Sequence, residues 1–290
     1  MANLKDIRQR ISSVKNTQQI TRAMKMVSAA KLRRAQENIQ HMRPYAQSIL
    51  SVIADVAATH RISHPLLSQS SESKRILLVV INSDRGLCGA FNNSVNRYVE
   101  NWHNKNKGKY DQLDYIFIGK RVADYFKRED LNAVDVMLNL AKDISYVKAA
   151  QVAEKLMKAY TGGQYDEIRF IYNEFKSAIS QNLVTETLLP VDVSQSTFAE
   201  AEHQFATDLI FEPQPEAIID ELLHKHFAVQ VYRCMSESVA AEHAARMTAM
   251  ENATNNAKDM ISKLTLTYNK LRQAAITTEL IEITSGAEAL

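Results

Sequence analysis

The chain has 290 residues, 46% of them hydrophobic, and a formal net charge of +2. This is enough apolar material for one or two cores and excludes a disordered or collagen-like chain. Seven glycines and five prolines favour long elements over many turns, and two cysteines, Cys88 and Cys234, are too few and too far apart for a disulfide framework or a zinc site.

From Asn3, placed as an N-cap, to about Ala58, Pro44 is the only glycine or proline, so one long helix bent at Pro44 is predicted. Its apolar residues recur at helical spacing: Ile7, Ile11, Val14, then Ile20, Met24, Val27, then Leu32, Ala35, Ile39, Met42, Ile49, Leu50, Ile53 and Val56. The stripe reads as shifting register near Gln18 and again near Lys31. Between Met1 and Arg43 ten basic residues face only Asp6 and Glu37, a local excess of eight positive charges that should attract acid.

His60 to Ser73, polar and carrying Pro65, reads as a linker. The apolar run within Lys74–Asn82 then predicts a strand buried on both faces of a parallel sheet. Beyond the loop Ser83–Asn92, a helix is expected at Asn93–Asn104, a strand at Leu113–Ile118, a short helix at Lys120–Lys127 and a weak strand at Val134–Met137. A helix at Ser145–Thr161, stopped by Gly162-Gly163, a strand at Glu167–Asn173 and an edge strand at Val184–Leu189 complete an open, Rossmann-like α/β insert. Residues 191–212 read as irregular, with one weak strand near Leu209–Phe211.

From Pro213 to Leu290 no proline follows Pro215 and no glycine precedes Gly286. Counting alternately by four and three from Leu222 gives one heptad seam through His226, Val229, Arg233, Ser236, Ala240, His243, Met247, Met250, Thr254, Ala257, Ile261, Leu264, Tyr268, Leu271, Ala275 and Thr278. Over about seventy residues this is a rod of roughly 105 Å, which cannot bury its seam alone. The first helix is the available partner. The fold class is therefore α/β with a long antiparallel coiled coil of the terminal helices: residues 1–59 the first coil helix, 60–212 the inserted domain, 213–290 the second. The second rod should outrun the first by roughly eighteen residues, or ~27 Å, leaving the end from Ile276, free of basic residues, to project alone.

Few residues suggest catalysis. Gly86-Leu-Cys-Gly89 sits between a strand and a helix, where phosphates bind, but lacks both the Lys-Ser/Thr pair of a P-loop and the three-glycine dinucleotide spacing; its glycines read as turn residues with positive φ. Asp84 and Arg85 read as a local salt bridge or turn cap. Cys88 at a helix start reads as packing rather than a nucleophile. His224 and His226 are two apart and make a poor metal pair, and the remaining histidines read as solvated. No catalytic, metal or cofactor residue is assigned. The basic face with Arg22, Lys25, Arg33 and Arg34 suits an acidic protein loop better than nucleic acid, because no aromatic residue precedes Tyr45. Two rivals are an α/β enzyme taking a phosphate ligand at Gly86–Gly89 and a coiled-coil nucleic-acid binder.

The stretches Ile20–Gln36, Ser83-Asp-Arg-Gly-Leu-Cys-Gly89 and Tyr268–Ala287, in this order and separation, resemble the gamma subunit family of F-type ATP synthases over the whole chain. That resemblance implies the central rotating shaft of the F1 sector of a proton-translocating ATP synthase. Such a shaft couples ion flow through the membrane c-ring to conformational change of the catalytic beta subunits and performs no chemistry itself. It implies alpha and beta subunits, the epsilon subunit and the c-ring as partners, a single copy per complex and no cofactor. By the motifs, Met24 and Lys25 would face the acidic lever of beta, and Arg272, Gln273, Thr277, Glu279 and Glu282 would meet beta loops. Ile281, Ile283 and Ala287 would form a tip turning in an apolar sleeve. With no apolar leader at the N-terminus and no run long enough to span a bilayer, the expected place is the cytoplasmic face of a bacterial inner membrane, held there through the complex.

Overall fold

The computed structural model describes residues 4–60, 64–67, 74–129, 131, 133–139, 144–177, 180–191 and 215–288. The proposed cap at Asn3, the strand near Leu209–Phe211 and most of the 191–212 segment lie outside them. The chain forms two compact units, one of residues 1–29 with 246–290 and one of residues 30–245.

Helix α1 runs Leu4–His60, with Pro44 inside it, and α5 runs Pro215–Glu288. Counting α1 by four and three from Ile7 reaches Ile11, Val14, Gln18, Thr21, Lys25, Ser28, Leu32, Ala35, Ile39, Met42, Ala46, Ile49, Ile53 and Val56, all buried or half-buried. The expected register shifts are therefore absent. Ile20 and Val27, assigned to the stripe, are 60% and 57% exposed, and the seam continues straight through polar residues instead. Helical geometry fixes which face is covered, and a polar residue can occupy that face when it finds a partner there.

The second unit is built on a five-stranded sheet ordered β3-β2-β1-β4-β5, from strands Arg75–Ile81 (β1), Gln112–Ile118 (β2), Asp135–Met137 (β3), Glu167–Phe175 (β4) and Gln181–Leu189 (β5). Strands β1 to β4 pair in parallel and β5 closes one edge antiparallel to β4. Helices α2 (Phe91–Asn106), α3 (Lys120–Phe126) and α4 (Tyr146–Thr161) connect the parallel strands. Leu78, Val80, Phe117 and Ile171 face α2 and α3, whereas Leu77, Val79, Ile118 and Phe170 face α4, the second half of α1 and the first half of α5. Two covered faces explain the unbroken apolar run of β1. Gly119 (φ 111) opens α3, where a Cβ would collide with the Asn82 carbonyl oxygen, so only glycine fits. The supposed linker is partly structural: Leu66 is fully buried, and its carbonyl accepts from the Val191 amide at 2.7 Å.

Within this unit α5 does not present a single seam. From His226 to Ala244 it is buried on nearly every side, so the heptad count there describes only one of several covered faces. Arg233 ties it to the sheet: Nη2 meets Glu186 Oε1 at 2.6 Å and Nη1 donates to Tyr172 Oη at 2.9 Å. One helical turn on, Glu237 Oε1 lies 3.6 Å from Nη1. Burial pushes the Cys234 thiol up to about 12, so this cysteine is a packing residue. His243, read as solvated, is buried, and so is His226.

Two outcomes follow for the full chain in urea unfolding. Arg233→Ala takes the shared cation from Glu186, 35% exposed, and from buried Glu237 and should cost about 3 kcal/mol, whereas Arg233→Met combined with Glu186→Met and Glu237→Met should recover most of that loss. Burial, aided by the Arg233 charge, pushes His226 down to about 4. The unfolded imidazole, near 6.5, therefore takes its proton first as pH falls. Stability from the neutral ring is complete above about pH 6.5 and is lost towards pH 4, roughly 3 kcal/mol in all. His226→Leu should flatten that acid limb.

Candidate partner-binding surface

In the first unit α1 and α5 are antiparallel. Thr21 Oγ1 and Thr254 Oγ1 lie 2.8 Å apart, and one turn along Lys25 Nζ donates to Glu251 Oε1 at 2.6 Å. Counting outward from these pairs, the described start of α1 at Leu4 falls opposite Leu271. The α5 seam is half-buried or buried at Met247, Met250, Thr254, Ala257, Ile261, Leu264, Tyr268, Leu271 and Ala275, as the sequence predicts. Thr278 is exposed, because α1 does not reach it, and every residue from Ile276 to Ala287 is exposed.

Beside the polar pairs lies a groove of about 570 Å³ lined by Gln18, Gln19, Arg22, Lys25, Met26, Glu251, Thr254 and Asn255. Lys25 lines this groove and is already engaged by Glu251, with the two side chains 38% and 47% exposed, whereas Met24, half-buried, is not among its lining residues. Arg272, Gln273, Thr277, Glu279 and Glu282 stand about twenty to thirty residues beyond Glu251 along α5, roughly 30 to 45 Å away, so the expected contacts fall in two patches. Thr277 Oγ1 donates to the Gln273 carbonyl at 2.9 Å, and all five are exposed. On the helix, Arg272, Ile276, Glu279 and Ile283 share a face while Ile281 points away from it. Ile276, Leu280, Ile281 and Ile283 are 49%, 58%, 58% and 68% exposed, an apolar end left uncovered. Thr254 stands on the seam as counted; Thr21 escaped the sequence reading, although a four-three count from Ile7 carried through polar residues reaches it, and Glu251 escaped it because it flanks the seam rather than occupying it.

In doubly wound sheets ligands bind outside the strand C-termini where the chain reverses direction, here beyond β1 and β4. That crevice is filled by the protein itself, with Ala241 and Ala245 of α5 packed on Cys88, Phe91 and Phe175. The preceding loop spends its polar groups internally: the Ser83 hydroxyl donates to Asn92 Oδ1 at 2.7 Å, and Asn92 Nδ2 donates to the Arg85 carbonyl at 3.3 Å. Asp84 caps α3 by accepting from the Lys120 amide at 3.0 Å, in keeping with a turn cap. Gly89 has the expected positive φ, 59°, but Gly86 does not; the left-handed residue between them is Leu87, φ 64°. A side chain at Gly86 would instead press on the Arg121 guanidinium at 3.0 Å.

The family model described as ATP synthase matches residues 3–290. The ATP synthase gamma chain of Bdellovibrio bacteriovorus is 62% identical over 293 residues, covering 100% of this chain and 99% of that one. The corresponding chain of Geobacter sp. (strain M21) is 47% identical over 290 residues, with 100% and 99% covered. Among solved structures, the central stalk and c-ring of Tetrahymena thermophila mitochondrial ATP synthase aligns with a TM-score of 0.60 at 29% identity, covering 81% of this chain and 99% of that one. An Euglena gracilis mitochondrial ATP synthase in a defined rotational state aligns at a TM-score of 0.67 over 99% of this chain and 94% of that one; at 23% identity that likeness concerns the fold.

Since the covered seam ends near Ala275, damage on either side of that point should differ in effect. Leu264→Pro should destabilise the first unit by about 3 kcal/mol or more, read as a loss of helical circular dichroism on heating. Truncation after Ser285 should leave the melting curve close to that of the full chain.

Proposed function

The chain belongs to the ATP synthase gamma chain family, and from that membership we propose that it is the turning shaft of the F1 sector of a bacterial proton-translocating ATP synthase. In this reading it stands as a single copy within a ring of alpha and beta subunits, meets the epsilon subunit and the membrane c-ring, and catalyses nothing itself. No described helix is long and apolar enough to cross a membrane; in this reading the chain is held at the cytoplasmic face of the inner membrane through the complex. The antiparallel pairing of α1 with α5, with the α5 end uncovered beyond Ala275, carries the proposal.

One asymmetric rod in a threefold ring touches each beta subunit differently, so turning it changes which subunit favours which nucleotide state. Ion flow through the c-ring would turn the rod during synthesis, and hydrolysis would turn it back. Lys25, lining the groove with exposed Arg22, and its chain neighbour Met24 suit an acidic segment of beta. Arg272, Gln273, Thr277, Glu279 and Glu282 suit polar loops of beta higher along α5, and Ile281, Ile283 and Ala287 suit an apolar sleeve. An uncharged contact with few hydrogen bonds imposes little directional resistance to rotation.

Lys25→Ala removes a half-exposed ion pair and should cost the isolated chain no more than about 1 kcal/mol. In complex reconstituted into proteoliposomes, Lys25→Ala or Arg272→Ala should lower proton-driven ATP synthesis several-fold. Unchanged assembly and synthesis in both would remove these beta contacts from the proposal.

A further inference from the structure

Between Glu100 and Asp111 the chain reads Asn-Trp-His-Asn-Lys-Asn-Lys-Gly-Lys-Tyr, with three lysines and no carboxylate. Helix α2 ends at Asn106, and Gly108 (φ 86) turns the chain where a Cβ would meet open space, so the turn into β2 stands clear of the fold. Lys105, Lys107 and Lys109 are exposed and form no ion pair with any described residue; Lys109 Nζ reaches only Asn106 Oδ1, at 3.5 Å. The Asp111 and Gln112 amides both donate to the Lys74 carbonyl, at 2.9 and 3.2 Å, which brings a fourth exposed lysine to the same end of the sheet. Nearby carboxylates are engaged elsewhere, Asp166 by Arg75 at 2.6 Å and Asp114 by the Tyr165 hydroxyl at 2.8 Å, leaving Asp111 as the exposed acid of the turn.

Two aromatic rings lie beside these lysines. Trp102, the sole tryptophan, stacks on Tyr110 with centroids 6.3 Å apart and planes 10° from parallel, and both are half-buried. The rings occupy each other, which leaves little for nucleic-acid bases to stack on. Half-buried Trp and Tyr next to ammonium groups on long stems match the layered chemistry of a bilayer surface, where amphipathic rings sit at headgroup depth and lysines meet anionic lipid. We propose that residues 105–110, with Lys74, rest on a surface of anionic phospholipid headgroups. The contact is electrostatic and has no fixed register, since headgroups are alike and fluid. Its use in rotation rests on the gamma chain reading: it holds the inserted unit near the membrane without favouring one angle. Headgroup binding itself rests only on the turn.

The test uses full-length chain with vesicles of phosphatidylcholine alone or mixed with phosphatidylglycerol. A nitroxide-labelled lipid should quench Trp102 in the mixed vesicles only, and added salt should remove the quenching. Because α1 is also basic, two triple variants are compared, Lys105→Gln, Lys107→Gln and Lys109→Gln in the turn against Arg8→Gln, Arg10→Gln and Lys15→Gln on α1. The turn variant should keep the parent melting curve and lose the quenching, with binding at the turn weakened roughly fivefold per lysine. The α1 variant should stay quenched. An unquenched Trp102 in the parent chain, or quenching of the turn variant as strong as the parent's, would overturn the proposal. In the membrane-bound complex, a photoreactive group attached at Lys107→Cys should label lipid, and labelling of protein alone would also overturn it. Quenching by chain that assembles into no complex would count against the shaft reading and leave the headgroup contact standing.

Discussion

A helix of seventy-four residues carries an apolar stripe that water penalises along its whole length, and the fold is a succession of ways to cover it. From His226 to Ala244, α5 is surrounded by sheet and helices. From Met247 to Ala275 the cover thins to a single partner, the first part of α1, and beyond Ala275 it ceases. The three regimes differ in what they can do. The first anchors, the second stiffens, and the third leaves Ile276, Leu280, Ile281 and Ile283 in need of a surface outside the chain.

The same requirement accounts for the character of the inserted sheet. Its topology would place a ligand beyond β1 and β4, yet the apolar face of α5 needs cover there and takes the space, with Ala241 against Cys88 and Phe91. Small alanines let the helix approach closely, and the Gln181 amide reaches the Ala241 carbonyl at 2.9 Å. A fold that elsewhere holds nucleotides here holds a helix, and Arg233 fixes that helix with directional bonds that plain apolar packing would lack.

Much of this architecture was legible in the sequence because it rests on periodicity. The apolar run of β1, the glycine pair after α4 and the α5 seam beyond Met247 each lie where their patterns place them. The α1 seam was misread between Gln18 and Lys31 because apolarity alone was followed; Thr21, Lys25 and Ser28 hold seam positions through bonds or burial that no hydropathy pattern encodes. His226 and His243 both stand on the counted α5 seam and are buried, so the count describes them better than the reading of His243 as solvated. Two separate surface patches follow from the length of α5, and only the antiparallel alignment shows which α1 residues stand near which turns.

The central claim is that this chain turns within its ring. Both native cysteines are buried, so a cysteine placed at Val136, 42% exposed on the edge of the sheet, offers a single reactive handle for a bead. On surface-held F1 complex supplied with ATP, the account predicts rotation of that bead in one direction, in steps reflecting the threefold ring. Hydrolysis at an undiminished rate with the bead only fluctuating about one angle would contradict it.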